Sequence, residues 1–247
     1  MKKIFLISFI FSAVAFSQTL IPKLPQITAS SFLLIDAETN KIIAQQNPEA
    51  STGLASITKI MTSYIVADYL KQGFLNIKDS TTVSEKCWRM EGSRMFIQEG
   101  KKVLIEDLMR GMIIQSGNDA ACALAEHIAG TQEDFASLMN DYAQKMELKN
   151  TNFTNPTGLP NVNHYSTAED IAKLSIVLIN DFPDEYAIYS EKEFTYNDIR
   201  QLNRNSLLWQ DDSIDGIKTG HTRASGYCLV ASSKRADMRL ISIVLNS

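Results

Sequence analysis

Short apolar runs of strand character stand near both ends of this chain, with segments of helical period between them, and no other feature limits its fold as strongly. Residues 31–35 and 41–44 flank the polar stretch Asp36-Ala37-Glu38-Thr39-Asn40, which reads as a β-hairpin. Residues 56–72 carry Ile57, Ile60, Met61, Tyr64, Ile65 and Tyr69 at helical spacing, with Gly73 closing the segment. Further helices are expected at 105–114, 118–129, 132–146 and 166–180, the last opening on the capping-box residues Ser166-Thr167-Ala168-Glu169. Residues 150–165, rich in Asn, Pro and Gly, read as loop, and after Trp209 the period returns to strands at 216–219, 226–232 and 238–245. Strands first and last with helices between predict an α+β fold: an antiparallel sheet assembled from both chain ends, flanked by helices with a helical insert.

The N-terminus reads as an address. Met1-Lys2-Lys3 precedes an apolar run from Ile4 to Phe16, and Ala15-Phe16-Ser17 offers small residues where a signal peptidase cuts, before Gln18. The run is shorter than the ~20 residues that span a bilayer, and no Cys follows it as a lipoprotein requires. The chain beyond residue 17 is therefore expected to work outside the cytoplasm. With 24 Lys+Arg against 28 Asp+Glu, it lacks the basic footprint of a nucleic-acid binder. His127, His164 and His221 are scattered without metal-ligand spacing, so no metal site is expected. Cys122 and Cys228 fall in apolar stretches and read as small core residues; with Cys87 they allow at most one disulfide, whose partners the sequence does not name.

Three short motifs carry chemistry. Ser56-Ile57-Thr58-Lys59 opens the strongest helix, and a spacing of three puts Ser56 and Lys59 on one face, about one turn apart. A serine hydroxyl becomes a nucleophile when a neighbouring base takes its proton, and burial beside positive charge can make a lysine that base. Ser116-Gly117-Asn118 lies between two helical stretches, where it presents two polar side chains or serves only as a helix cap. Lys218-Thr219-Gly220 sits on a strand, where lysine and threonine can hold a carboxylate and glycine admits a substrate backbone, or where the lysine is merely exposed beside a turn. Each is weak alone. In order, about sixty and then about a hundred residues apart, they form the S-x-x-K, S-x-N, K-T-G set of serine enzymes acting on penicillin-like substrates.

The chain here resembles the low-molecular-mass penicillin-binding proteins, serine-type D-alanyl-D-alanine carboxypeptidases of the peptidase S11 type. The resemblance rests on Leu54-Ala55-Ser56-Ile57-Thr58-Lys59-Ile60-Met61-Thr62, Ile114-Gln115-Ser116-Gly117-Asn118-Asp119-Ala120, Asp215-Gly216-Ile217-Lys218-Thr219-Gly220-His221-Thr222 and Gly226-Tyr227-Cys228-Leu229-Val230-Ala231-Ser232. Asn203-Arg204-Asn205 and Tyr165-Ser166-Thr167-Ala168 extend it. It implies a β-lactamase/DD-peptidase-like fold, with residues 1–17 as signal peptide and 18–247 as catalytic domain. It also implies that Ser56 attacks the terminal D-Ala-D-Ala bond of a peptidoglycan stem peptide and that Lys59 takes the hydroxyl proton. Ser116, bonded between Lys59 and Lys218, relays a proton to the leaving D-alanine. Asn118 holds the substrate amide, Thr219 and Arg204 the carboxylate. Gly220 lines the strand, and the backbone N–H groups of Ser56 and His221 form the oxyanion hole. β-Lactams become covalent inhibitors, and no cofactor is required.

Two other readings share the motifs. A class A β-lactamase needs a Glu in an E-x-x-L-N segment, and residues 155–170 offer only Glu169 and Asp170. A non-catalytic peptidoglycan- or penicillin-binding protein is the other. The family continues past the strand at 238–245 into a closing helix with another arginine, a β-rich second domain and an amphipathic anchor, whereas this sequence stops at Asn246-Ser247. A C-terminally short catalytic domain, without anchored membrane attachment, is the expectation that follows.

Overall fold

The two ends of the chain meet edge to edge in one antiparallel sheet. The computed structural model describes residues 26–247, so the expected signal peptide lies outside the described residues. Strands β1 (Ser31–Asp36) and β2 (Ile42–Gln46) form the expected hairpin at one edge, and β1 pairs with the last strand in the register Ser31↔Leu245 to Asp36↔Leu240. Between them run α1 (Lys59–Lys71), β3 (Ser80–Thr82), α2 (Glu85–Trp88), β4 (Lys102–Leu104), α3 (Ile105–Ile113), α4 (Asn118–Ala129), α5 (Gln132–Lys145) and α6 (Ala168–Asp181). The short α7 (Pro183–Tyr186), the hairpin β5 (Glu193–Tyr196) and β6 (Ile199–Leu202), then β7 (Ile214–Thr222), β8 (Gly226–Arg235) and β9 (Met238–Leu245) complete the chain. The sheet order is β2-β1-β9-β8-β7, which places the K-T-G strand β7 at the edge opposite β2. The α+β architecture expected from the sequence is the observed one.

Alternation explains the sheet. In β9, Arg239, Ile241, Ile243 and Leu245 face inward while Leu240, Ser242 and Val244 point the other way, the period of two that buries one face. Helix α6 lies against β1 and β9, and α1 is buried continuously from Lys59 to Ala67. A helix buried on all sides is a core helix. Lys59, at its buried start, is therefore shielded from solvent before any chemistry is considered.

Several expectations shift. Ser56 does not begin the α-helix: it sits in a 3-10 turn, Ala55–Thr58, and α1 starts at Lys59. Ala55, the residue before the nucleophile, adopts φ +47, a left-handed conformation rare outside glycine. The cap of α6 is one residue later than expected, with Thr167 accepting from the Asp170 N–H at 3.1 Å. The hairpin β5–β6 was not foreseen. Its turn, Asn197-Asp198, has positive φ at both residues, the form that matches strand twist, but the flanking strands are only four residues long. Cys87 and Cys122 form a disulfide joining α2 to α4, so Cys122 is a bridge as well as a core residue, while Cys228 is free and buried.

Candidate active site

The nucleophile motif, the second motif and the 150–165 loop converge on one amine. Lys59 is 1% exposed, and its Nζ lies 3.0 Å from Ser56 Oγ, 2.7 Å from Asn118 Oδ1 and 2.7 Å from the Thr157 carbonyl. The Asn118 amide is oriented by its Nδ2, which donates to the Glu91 carbonyl at 2.6 Å and leaves Oδ1 for the lysine. Carbonyl and amide oxygens only accept. A neutral amine spends its two protons on them, and its lone pair then faces the Ser56 hydroxyl. Burial, and next the charge of Lys218, push the Lys59 pKa well below its usual value, with Asp119 opposing. The neutral form that a general base requires is the one the site favours.

The other wall of the cleft is differently built. Ser116 has φ +65, is 4% exposed, and its hydroxyl has no hydrogen-bond partner among the described residues. The expected bridge of Ser116 between the two lysines is thus not made in this structure: Lys59 has turned to Asn118 and Thr157 instead. Lys218, 2% exposed, donates among the described residues only to the carbonyl of its neighbour Thr219, at 3.2 Å. Burial first, and the charge of Arg204 second, lower its pKa to about 7. Arg204 itself is exposed, and its backbone N–H bonds the Ile114 carbonyl at 3.1 Å, tying it to the segment that leads to Ser116.

Ser56, Ser116, Arg204, Thr219, Gly220 and His221 line a common cleft of about 640 Å³. Lys59, Asn118 and Lys218 lie buried around it, so all nine residues singled out by the sequence gather in one place. Gly220 packs on the nucleophile turn: a Cβ there would sit 3.0 Å from the Ser56 nitrogen and 3.1 Å from the Leu54 oxygen, tighter than backbone tolerates. His221 is exposed, with its ring 4.2 Å from that of Tyr227. Of clustered His, Cys, Asp and Glu side chains among the described residues, Cys87, Cys122 and Glu126 are close enough to share a metal ion, and the two sulfurs are bonded to each other.

Other members of the site were invisible as chemistry in the sequence. Asp119 is buried and accepts from the backbone N–H groups of Met95 (2.9 Å), Phe96 (2.9 Å) and Ile97 (3.3 Å), fixing the segment that follows Ser93 in the cleft wall. Asn155 Oδ1 gathers the N–H groups of Thr157, Gly158 and Leu159 at 2.8–3.2 Å, and so presents the Thr157 carbonyl to Lys59. The Asn-Pro-Thr-Gly string was a signal for such a side-chain-closed turn, but not for what the turn would hold. Among the described residues no helix is long and apolar enough to cross a membrane.

Residues 18–247 match the family model for peptidase S11, D-alanyl-D-alanine carboxypeptidase. The chain is 46% identical over 246 residues to D-alanyl-D-alanine carboxypeptidase DacC of Escherichia coli, covering 97% of this chain and 62% of that protein. It superposes on the crystal structure of D-alanyl-D-alanine carboxypeptidase DacD from Francisella tularensis with a TM-score of 0.90 at 34% identity, covering 95% of this chain and 69% of that one. Penicillin binding protein 5 from Haemophilus influenzae gives a TM-score of 0.88 at 47% identity, over 91% and 67% of the two chains. The chain spans about three-fifths of the length of the curated relatives it matches.

Proposed function

This chain belongs to the peptidase S11 family of D-alanyl-D-alanine carboxypeptidases, and on that premise we propose that it removes the terminal D-alanine from peptidoglycan stem peptides through an acyl-enzyme on Ser56. The observation that carries the reading is the Lys59 amine, with two acceptor oxygens at 2.7 Å and the Ser56 hydroxyl at 3.0 Å. Lys59 takes the hydroxyl proton as Ser56 Oγ bonds the scissile carbonyl carbon. The oxyanion that forms is received by the Ser56 and His221 N–H groups, donors fixed before the charge develops. The terminal carboxylate lies toward Lys218, Thr219 and Arg204, and Asn118 holds the substrate amide. As the tetrahedral carbon collapses, the C–N bond breaks and the leaving nitrogen takes a proton by way of Ser116. Water then cleaves the ester, giving the shortened peptide and restoring the hydroxyl. β-Lactams place the same carbonyl and carboxylate in the same positions and acylate Ser56. Residues 18–247 serve as the catalytic domain, and residues 1–17 direct it out of the cytoplasm to the cell wall.

A β-lactamase reading finds no support in the site. Glu169 pairs with Lys173 at 3.1 Å, and buried Asp170 accepts from the Asn150 N–H and the Thr151 hydroxyl, both at 2.8 Å. Both carboxylates have partners in the loop or helix α6, and neither belongs to the hydrogen-bonded set around Ser56 and Lys59. The penicilloyl-enzyme is expected to be long-lived. The test is incubation of the mature protein with a stem pentapeptide, reading D-alanine release, with mass spectrometry of the penicillin-treated protein. Release and a single stable adduct, both abolished by Ser56→Ala, are expected. A folded wild type that releases no D-alanine, or one that hydrolyses penicillin in rapid turnover, overturns the proposal.

A further inference from the structure

Three side chains at the start of the nucleophile helix are bonded to the loop before α6. Thr58 Oγ meets His164 Nε2 at 2.7 Å, Lys59 Nζ donates to the Thr157 carbonyl at 2.7 Å, and Thr62 Oγ donates to the Pro156 carbonyl at 2.7 Å. The lysine has a role in the chemistry just described; the buried histidine has none so far.

Its tautomer follows from its partners. His164 Nδ1 accepts the backbone N–H of Thr154 at 3.0 Å, so that nitrogen carries no proton in the neutral ring. The proton is then on Nε2 and is donated to Thr58 Oγ. The Thr58 hydroxyl, with its lone pair occupied, donates in turn to the Ala55 carbonyl at 2.8 Å. Burial, and next the charge of Lys59, lower the His164 pKa to about 4, so the ring stays neutral and this direction of donation holds at neutral pH.

The end of the chain is what matters. The Ala55 carbonyl and the Ser56 N–H belong to one planar trans peptide, so fixing the oxygen on one side fixes the N–H on the other. Ala55 is at φ +47, an orientation that persists only where the surroundings hold it. The loop closes over the same oxygen: a Cβ at Gly158, itself at φ +84, would lie 1.7 Å from it. On the opposite side the Ser56 nitrogen faces Gly220.

We infer that His164 is a positioning residue for acyl transfer: through Thr58 it sets the Ala55–Ser56 peptide so that the Ser56 N–H stands toward the cleft as an oxyanion donor. The inference rests on the acyl-enzyme reading above, and it concerns the donor rather than the nucleophile or base.

The experiment measures the acylation rate constant and the dissociation constant of the pre-covalent complex, using a fluorescent penicillin and the mature protein. His164→Gln keeps a donor at the Nε2 position. His164→Asn keeps an acceptor at the Nδ1 position but cannot reach Thr58, and Thr58→Val deletes the relay. His164→Gln is expected to acylate within about threefold of wild type, while His164→Asn, His164→Ala and Thr58→Val fall about ten- to a hundredfold in rate constant with pre-covalent binding unchanged. The double variant His164→Ala/Thr58→Val loses no more than either single one. The inference is overturned if His164→Asn keeps the rate that His164→Gln loses, or if the loss lies in binding. It is equally overturned if the two single losses add. Wild type that is never acylated removes the underlying reading as well, whereas wild type that acylates alongside an undiminished His164→Ala removes this inference alone.

Discussion

Lys59 and Lys218 are buried to nearly the same degree in the walls of one cleft, and the protein treats them oppositely. Lys59 has three oxygen partners within 3.0 Å, supplied by three separate segments of chain. Among the described residues Lys218 has one, the carbonyl next to it in β7 at 3.2 Å, and the Ser116 hydroxyl in the same cleft has none. Burial without partners is unfavourable for an amine, more so when it is charged. On the Lys59 side the fold supplies acceptor oxygens that position the amine, while burial favours its neutral form. On the Lys218 side the cost is left for a ligand to meet. With its pKa lowered to about 7, Lys218 would take up a proton on binding the carboxylate that the proposed function places beside it. One wall is hydrogen-bonded within the fold, and under the proposed function the other is completed by substrate.

The largest effect that probes this contrast is loss of the base. Lys59→Met is expected to lower the acylation rate constant by about 10³ or more, the upper part of the range for general base catalysis, with little change in pre-covalent binding. The pH profile is the sharper readout. The low pKa of Lys59 makes wild-type acylation rise with pH as the amine deprotonates, and Lys59→Met should abolish that rise. The variant also strands Asn118 Oδ1 and the Thr157 carbonyl, at roughly 1–3 kcal/mol for each acceptor left unpaired. A Lys59→Met protein that keeps the rise with pH would assign the base elsewhere.

Lys218→Met comes next and should differ in kind. It removes a carboxylate partner, so KM for the peptide rises about ten- to a hundredfold while the acid limb set by Lys59 survives. Burial depresses the pKa of both lysines, so linkage acts on both in the same direction, and Lys218 differs in having fewer hydrogen-bond partners to lose. Lys218 titrates at 10.5 when unfolded and about 7 when folded. The unfolded chain therefore binds more protons between these values, and stability rises with pH across that window. At and below pH 7 the deficit is on the order of 4 kcal/mol, by the linkage of pKa to stability. Lys218→Met should raise the unfolding midpoint at pH 7 and flatten the slope of stability between pH 7 and 10 by about one proton's worth. A lowered midpoint with an unchanged slope would mean that Lys218 has partners beyond the Thr219 carbonyl.

The same division governs how much could be read from the sequence. Ser56, Lys59, Ser116, Asn118 and Lys218 were legible because each belongs to a short motif whose residue types are the chemistry. The sheet was legible because alternation in β9 and the hairpin β1–β2 is a one-dimensional signal. What holds Lys59 was not, because a backbone carbonyl such as that of Thr157 has no side-chain identity to notice. His164 likewise gains its meaning only from Thr58, 106 residues away, and its solitary position argued merely against a metal site. The expectation that Ser116 bridges the lysines described a hydrogen bond between distant side chains, and such bonds depend on rotamers that spacing does not fix. The Cys87–Cys122 pair was undetermined for a similar reason, since any of three pairings fits three cysteines.

The smallest effect concerns Ser116, and it separates cost from use most cleanly. Its hydroxyl is buried and has no protein partner among the described residues, so Ser116→Ala removes no hydrogen bond between protein groups there. Stability should be unchanged or rise by under about 1 kcal/mol in urea unfolding. Ser116→Gly should add to that, because φ +65 suits glycine and strains any other residue. Both variants nevertheless lose the proton path to the leaving nitrogen, so D-alanine release should fall about ten- to a hundredfold. Activity and stability then move in opposite directions at a single hydroxyl. Were Ser116→Ala to destabilise the protein by the 1–3 kcal/mol that follows from losing a buried bond, the hydroxyl would already be paired in the free enzyme. The bridge between the lysines would then exist without substrate, and the contrast between a finished and an unfinished wall would fail.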